Sequence, residues 1–162
     1  MIPYEVFLAV SYKAACIEHS RYRLAIESII EVVQSTGGTL YAAPMNECWG
    51  QYAPARREGI ANDHLALRHC DCFVYFVDGF ESDGALVELG MAIAMGKRII
   101  ILRRASERLL SHVEGLVEIG RAEGCVIQES DTPFASLRAM LTMDDAVEWD
   151  FLPVAQRSRL PA

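Results

Sequence analysis

The sequence lacks an apolar run that approaches the length needed to span a bilayer, about 20 residues. The N-terminal segment MIPYEVFLAVSYK has no basic residue ahead of its apolar stretch, so it predicts a first strand and not a signal peptide. Basic residues are outnumbered, with 15 Lys and Arg against 22 Asp and Glu and a formal net charge of -7. This balance argues against a general nucleic-acid binder, whereas a small phosphorylated ligand needs only a few local donors.

The sequence also lacks several motifs that would assign a chemistry at once. Its five cysteines are an odd number without zinc spacing, and Cys70-Asp71-Cys72 is too tight for a CxxC redox pair. The four histidines form no metal spacing, and HExxH, Walker A, GxGxxG and GxSxG patterns are all absent. We therefore expect a cytoplasmic protein with reduced, buried thiols that neither binds nucleic acid nor enters a membrane.

What the sequence does contain is an alternation of strand-like and helix-like segments. Its 162 residues predict a single domain over residues 1–162, with a tail from about residue 145 that is extended or lies at a subunit interface. Periodicity predicts strands at 5–10, 39–43, 72–77, 98–102 and 125–128, and helices at 20–35, 55–69, from the 78–88 segment to 96, at 106–118 and at 133–143. This order predicts an α/β fold, a doubly wound, mainly parallel sheet of about five strands flanked by helices.

In such a sheet, ligands bind beyond the carboxyl ends of the strands, which selects residues 11–16, 44–54 and 78–88. The third segment ends at Glu88, a single carboxylate among apolar neighbours at a predicted helix start. Such a group can attack an electrophilic carbon or hold a sugar hydroxyl. A solvated first-turn carboxylate, favoured by the helix dipole, is the alternative.

Further polar and aromatic residues fall at or near the same predicted edge. Ser82, Asp83 and Gly84 precede the helix and can form an anion cradle for a phosphate, although an N-capped turn has the same composition. Asp63 can face either the ligand edge or solvent, whereas Asp71 directly precedes a strand and is expected to hydrogen-bond the turn.

Tyr12, Trp49 and Tyr52 lie on the predicted ligand-edge loops. Their rings can stack on a planar base, and core packing is the alternative. One tryptophan in a loop does not decide between the two.

Taken together, these pieces resemble the nucleoside 2-deoxyribosyltransferase-like superfamily, over about the first two-thirds of the chain. The matching segments are DHLALRHCD (63–71), SDG (82–84), VELG (87–90) and AIAMGK (92–97). Within the superfamily, LYAAPMNECWG (40–50) and FLAVSYK (7–13) resemble segments of the CMP and hydroxymethyl-CMP N-glycosidases of nucleoside-antibiotic biosynthesis.

The resemblance implies a Rossmann-like fold, no metal or organic cofactor, and a homodimer or larger assembly that shares its active sites. Glu88 would attack the anomeric carbon, and water would then release the sugar phosphate. Asp63 would assist at the sugar or base, and Ser82 with the Gly84 amide would bind the 5′-phosphate. The other substrate-binding residues would be Phe7, Ser11, Tyr12, Lys13 and Trp49.

The sequence departs from the family pattern at a few positions. Ala9, Val10, Ser11 and Tyr12 replace a GGPF segment, and Lys13 replaces an arginine, which keeps the charge but loses the bidentate fork. These changes affect the expected preference for base and sugar and leave the nucleophile in place.

The resulting hypothesis is a nucleotide N-glycosidase that releases a base from a CMP-like pyrimidine nucleotide through a glycosyl-Glu88 intermediate. A nucleoside deoxyribosyltransferase is one alternative, and a non-catalytic nucleotide-sensing module is another. Ser82, Gly84 and Lys13 favour a phosphorylated substrate, and Glu88 counts against the sensing module, which needs no reactive carboxylate.

Overall fold

The computed structural model describes residues 5–80, 82–127 and 134–142. Within them, five parallel strands form one sheet in the order β2-β1-β3-β4-β5. The strands are β1 (Glu5–Ala9), β2 (Thr39–Tyr41), β3 (Cys72–Val77), β4 (Arg98–Arg104) and β5 (Glu123–Ile127). The helices are α1 (Tyr12–Ala15), α2 (Arg21–Ser35), α3 (Ala43–Asn46), α4 (Arg56–His69), α5 (Asp83–Ala94), α6 (Ser111–Glu118) and α7 (Ala135–Thr142), with a 3-10 turn at Cys48–Gly50.

The predicted α/β, doubly wound, parallel fold is confirmed. Side chains of α2 and α7 pack with one face of the sheet, and side chains of α4, α5 and α6 pack with the other. Strands β3 and β4 are apolar on both faces because helices cover both sides. The strand order reverses between β1 and β3, which is the point where folds of this kind leave a crevice for a ligand.

Several predicted boundaries differ from the structure. The second strand ends at Tyr41, because Pro44 favours the first turn of α3 directly after it. β4 continues through Arg103 and Arg104, whose backbones pair with β5, and the next helix begins at Ser111. Because Arg103 and Arg104 are charged, the apolar pattern did not indicate that these two residues continue the strand.

The segments predicted as ligand-edge loops are partly helical. Residues 11–16 contain α1, and residues 44–54 contain most of α3 and the 3-10 turn. The side chain of Asp71 bonds β1 and not the turn before β3, since the Glu5 N–H donates to its Oδ2 at 2.9 Å. This bond ties the starts of β1 and β3 together at the end of the sheet away from the predicted ligand edge.

The start of α5 is the most consequential difference. Ser82 is its N-cap, and Asp83 and Gly84 belong to its first turn, so these residues are not a loop ahead of the helix. Glu88 consequently lies in the second turn and not in the first. One turn of helix therefore separates Glu88 from the free N–H groups at the helix start.

No helix in the described part of the chain has the length and apolarity to cross a membrane. The tail from about residue 145 lies outside the described residues. The assignment of residues 1–162 to a single domain stays a prediction.

Candidate active site

A cavity of about 590 Å³ opens beside the carboxyl end of β1, between α1, α3, α4 and the start of α5. This volume is typical of sites for small organic ligands, which are about 300–1,000 Å³. Six of the residues predicted from the sequence line it: Phe7, Tyr12, Asp63, Ser82, Gly84 and Glu88. Residues from three distant parts of the chain thus meet in one cavity at the expected edge of the sheet.

Glu88 projects from α5 into this cavity, and its ionisation is strongly perturbed. Burial, together with a smaller effect of the nearby charge of Asp63, raises the pKa of its carboxyl to about 8. A carboxyl away from water loses the hydration that stabilises its anion. The protonated form of Glu88 is therefore favoured near neutral pH. This behaviour contradicts the alternative of a solvated first-turn carboxylate.

Asp63, on α4, is held by a hydrogen bond from another element. The Tyr41 hydroxyl donates to Asp63 Oδ1 at 2.8 Å. Burial and the charge of Glu47 raise the pKa of Asp63, while the Tyr41 bond lowers it. The two carboxyls, Asp63 and Glu88, thus share one cavity, and the Tyr41 hydroxyl holds the first of them.

An aromatic row lies behind these carboxyls, made of Tyr41, Phe7 and Phe73. The three residues are directly opposite one another on β2, β1 and β3. The ring centroids of Phe7 lie 5.3 Å from Tyr41 and 5.6 Å from Phe73, in stacked geometry. Phe7 also lines the cavity, so its ring gives the site an apolar wall.

The start of α5 offers a place for an anion. Ser82 Oγ accepts a hydrogen bond from the Ala85 N–H at 3.3 Å and so caps the helix. Gly84 exposes backbone to the cavity, and a Cβ added there would meet Ser82 Oγ at 3.8 Å, an ordinary contact distance. Free N–H groups at a helix start attract negative charge, which suits this end of the cavity to a phosphate.

The family model for nucleoside 2-deoxyribosyltransferases matches residues 18–137, which is most of the chain and includes both carboxyls. The chain belongs to the nucleoside 2-deoxyribosyltransferase family. The match also spans the N-terminus of α5.

Three solved structures have similar folds. One is the CMP N-glycosidase BcmB of Clostridium botulinum, with a TM-score of 0.61 at 23% identity, covering 86% of this chain and 99% of that one. BlsM gives 0.66 at 26% identity, with coverage of 84% and 86%. The 2-deoxyribosyltransferase of Bacillus psychrosaccharolyticus gives 0.57 at 16% identity, with coverage of 82% and 95%. No curated protein matches the chain.

In this family member, three residues predicted to bind substrate are not among those that line the cavity. Ser11 is buried, and its N–H donates to the Tyr22 hydroxyl at 2.8 Å. Lys13 is exposed on α1, because neighbouring helical residues point in different directions and Tyr12 takes the cavity side. Trp49 packs elsewhere.

The ring of Trp49 lies against a cation and not against the cavity. The guanidinium carbon of Arg23 is 4.3 Å from its ring centroid, a cation–π contact. Cys48 and Trp49 both have positive φ, 50° and 58°, which non-glycine residues rarely adopt. This left-handed turn places the Trp49 side chain against α2. No pattern in the sequence predicted the turn.

Two charged residues that sequence reasoning did not assign also line the cavity, Glu47 and Arg56. The Tyr12 hydroxyl donates to Glu47, and burial together with this bond raises the pKa of Tyr12. The only available signal for Glu47 was its place in the segment ECWG, which resembles the family. In the described residues, no group of three or more acidic, His or Cys side chains is arranged to hold a metal ion.

Proposed function

We propose that this family member is an enzyme that hydrolyses the N-glycosidic bond of a nucleoside 5′-monophosphate, with a preference for CMP-like pyrimidine nucleotides. The observation that carries the proposal is the placement of Glu88, Asp63 and the N-terminus of α5 around one cavity. The products are a free base and ribose or deoxyribose 5-phosphate. Similarity to a CMP N-glycosidase is consistent with this substrate class.

Glu88 is the nucleophile in the proposed reaction. Its carboxylate oxygen forms a bond to C1′ as the bond from C1′ to the base nitrogen breaks, and the bonding electron pair leaves with the base. The departing base takes up one proton from water. A water molecule then attacks C1′, loses a proton to Asp63 and releases Glu88 as a carboxylate, in the two-step manner of retaining glycosidases.

The charge distribution of the cavity supports this chemistry. Positive charge develops on the sugar as the base departs, and Glu47, Asp63 and Glu88 all line the same cavity. Carboxylates that are already in place stabilise such a charge without reorganising. The raised pKa of Glu88 means that the proton must leave before the carboxylate can attack, so turnover will require this ionisation.

The spacing along α5 supports a phosphorylated sugar. Gly84 and Glu88 are four residues apart, which places them on one face of the helix, about 6 Å apart along its axis. A pentose can bridge such a separation, with its 5′-phosphate at the helix start and C1′ near Glu88. Ser82 and the Gly84 amide are the proposed phosphate ligands, and Phe7 and Tyr12 form the wall beside the sugar or base.

Transfer of the sugar to a second base is the alternative supported by the family name. In that reaction, a base nitrogen takes the place of water in the second step. A nucleotide-sensing module without turnover gains no support from a buried carboxyl beside an anion site, because ligand holding does not need one.

We also propose a cytoplasmic homodimer or larger homo-oligomer. The five cysteines, all among the described residues, form no disulfide, as expected in a reducing compartment. Ile60 lines the cavity and is 62% exposed, and Leu65 and Tyr52, each 54% exposed, line a neighbouring cleft. A second subunit over these side chains would bury them and close the cavity mouth.

A base-release assay tests the function. Purified protein is incubated with ribonucleoside and deoxyribonucleoside monophosphates, with and without a second free base, and products are followed by chromatography. Glu88→Gln removes the nucleophile at nearly constant shape, and Glu31→Gln makes the same change at an exposed position of α2. Release by the wild type and Glu31→Gln, but not by Glu88→Gln, is the expected result. Exchange of bases without hydrolysis would favour the transferase, and tight binding without release would favour the sensing module.

A further inference from the structure

Tyr41 is not among the residues that line the cavity, but it is placed to influence the ionisation of the two carboxyls there, Asp63 and Glu88. Its backbone is fixed at the end of β2, opposite Phe7. Its ring stacks on Phe7, with an interplanar angle of 26°. Its hydroxyl reaches across to α4 and donates to Asp63. The ring is therefore held by the sheet, and the hydroxyl holds the carboxylate.

The neighbours of Asp63 have opposing effects on its pKa. Burial and the negative charge of Glu47 both favour the protonated form of Asp63, whereas the Tyr41 hydroxyl favours the anion because it donates to a carboxylate oxygen. The charge on Asp63 in turn favours the protonated form of Glu88. Tyr41 thus acts on Glu88 through Asp63.

The elements around Asp63 and Glu88 contribute three other titratable or charged side chains to the cavity. They are Tyr12 on α1, Glu47 after α3 and Arg56 at the start of α4. The Tyr12 hydroxyl donates a hydrogen bond to Glu47, and Arg56 is the basic residue in this set. Of the three, only Glu47 is among the causes that shift Asp63, and it acts against the anion. Among the described groups around Asp63, the Tyr41 hydroxyl is therefore the one that favours the Asp63 anion, against burial and the charge of Glu47.

We propose that Tyr41 is a positioning residue whose hydroxyl orients Asp63 and favours the anion of Asp63 over that of Glu88. The inference rests on the proposed roles of Glu88 and Asp63. As a consequence, the proposed nucleophile, Glu88, is protonated in the free protein. Glu88 must release its proton to solvent before its carboxylate attacks C1′. Asp63 stays oriented by Tyr41 during this step.

The first test needs no activity. The free energy of unfolding is measured against pH for the wild type and for Glu88→Gln, and the difference between the two curves reports the ionisation of Glu88. The same pair is then measured in the Tyr41→Phe background, which keeps the stacked ring and removes the hydroxyl. We expect the pH at which the difference levels off to move lower, because a more protonated Asp63 opposes the Glu88 anion less. An unchanged position would overturn the proposal.

A double-mutant cycle separates this effect from a general loosening of the fold. Asp63→Asn should move the same transition to lower pH, and adding Tyr41→Phe to Asp63→Asn should not move it further. Tyr52→Phe makes the same chemical change at an exposed tyrosine and should leave the transition in place. Equal shifts with Tyr41→Phe in the presence and absence of Asp63 would contradict control through that carboxylate.

The second test uses base release. Tyr41→Phe should lower kcat by about 10- to 100-fold with little change in KM, as expected for the loss of a hydrogen bond to a charged group. The rising limb of its kcat/KM profile should also move to lower pH, which a merely structural role would not produce. If the wild type releases no base while the stability transition still shifts, the proposed function fails and the inference about proton placement stands.

Discussion

Replacing Glu88 by glutamine should make the protein more stable in alkali, and the size of the effect follows from its burial. The carboxyl is ionised above its ordinary pKa of 4.5 in the unfolded chain, but only above about 8 in the folded one. Because the folded pKa is the higher one, stability is fully present below pH 4.5 and is lost as the pH rises to about 8. The total loss is about 5 kcal/mol at about 1.4 kcal/mol per pKa unit.

Glutamine has no proton to lose, so Glu88→Gln should escape this cost. Between about pH 6 and pH 9 its advantage over the wild type should grow by about 2 to 3 kcal/mol and then level off. Urea unfolding at several pH values measures the difference, because the midpoint multiplied by the slope gives the free energy at each pH. Glu31→Gln, at an exposed site, should show a constant difference over the same range. Parallel curves for the wild type and Glu88→Gln would refute the buried, protonated state of Glu88.

Three further predictions concern turnover and the helix start. The kcat/KM of the wild type should rise with pH up to about 8, since free-enzyme Glu88 must ionise; a profile already flat from pH 6 would contradict this. Gly84→Ala should stabilise α5 by about 0.4–1 kcal/mol, because the added Cβ has room, yet raise KM for nucleotides more than for nucleosides. Ser82→Ala should lose the cap, costing about 1 kcal/mol in thermal or urea unfolding, and raise KM in the same selective way. Equal effects of either change on nucleosides and nucleotides would count against a phosphate at this helix start.

The sequence was most informative where one physical influence dominates. The run Cys72–Val77 is apolar throughout, and a strand buried on both faces was predicted at its correct bounds. The rule that ligands bind at strand carboxyl ends selected the segment that contains Glu88, whereas Asp63, 25 positions earlier, was assigned through the family resemblance. Both predictions depend on patterns that extend over several residues.

The sequence was least informative where a local backbone conformation decides the direction of one side chain. Nothing in the composition of ECWG indicates that Cys48 and Trp49 adopt left-handed backbone angles, since glycine usually serves there. Trp49 was therefore predicted to bind substrate although its ring packs on Arg23. The bond from Tyr41 to Asp63 joins residues 22 positions apart and depends on how β2 meets α4, so it became visible only in the folded chain.

The aromatic row across β2, β1 and β3 has a consequence for anyone who redesigns this protein. Phe7 forms part of the cavity wall, which makes it an obvious position at which to retune base preference. It is also the surface on which the Tyr41 ring rests. A smaller residue at Phe7 would enlarge the cavity and release Tyr41 together with the carboxylate it orients. Under the proposed function, base selectivity and turnover would therefore both respond to a change at Phe7, and variant libraries at Phe7 should be screened with compensating changes at Tyr41 and Phe73.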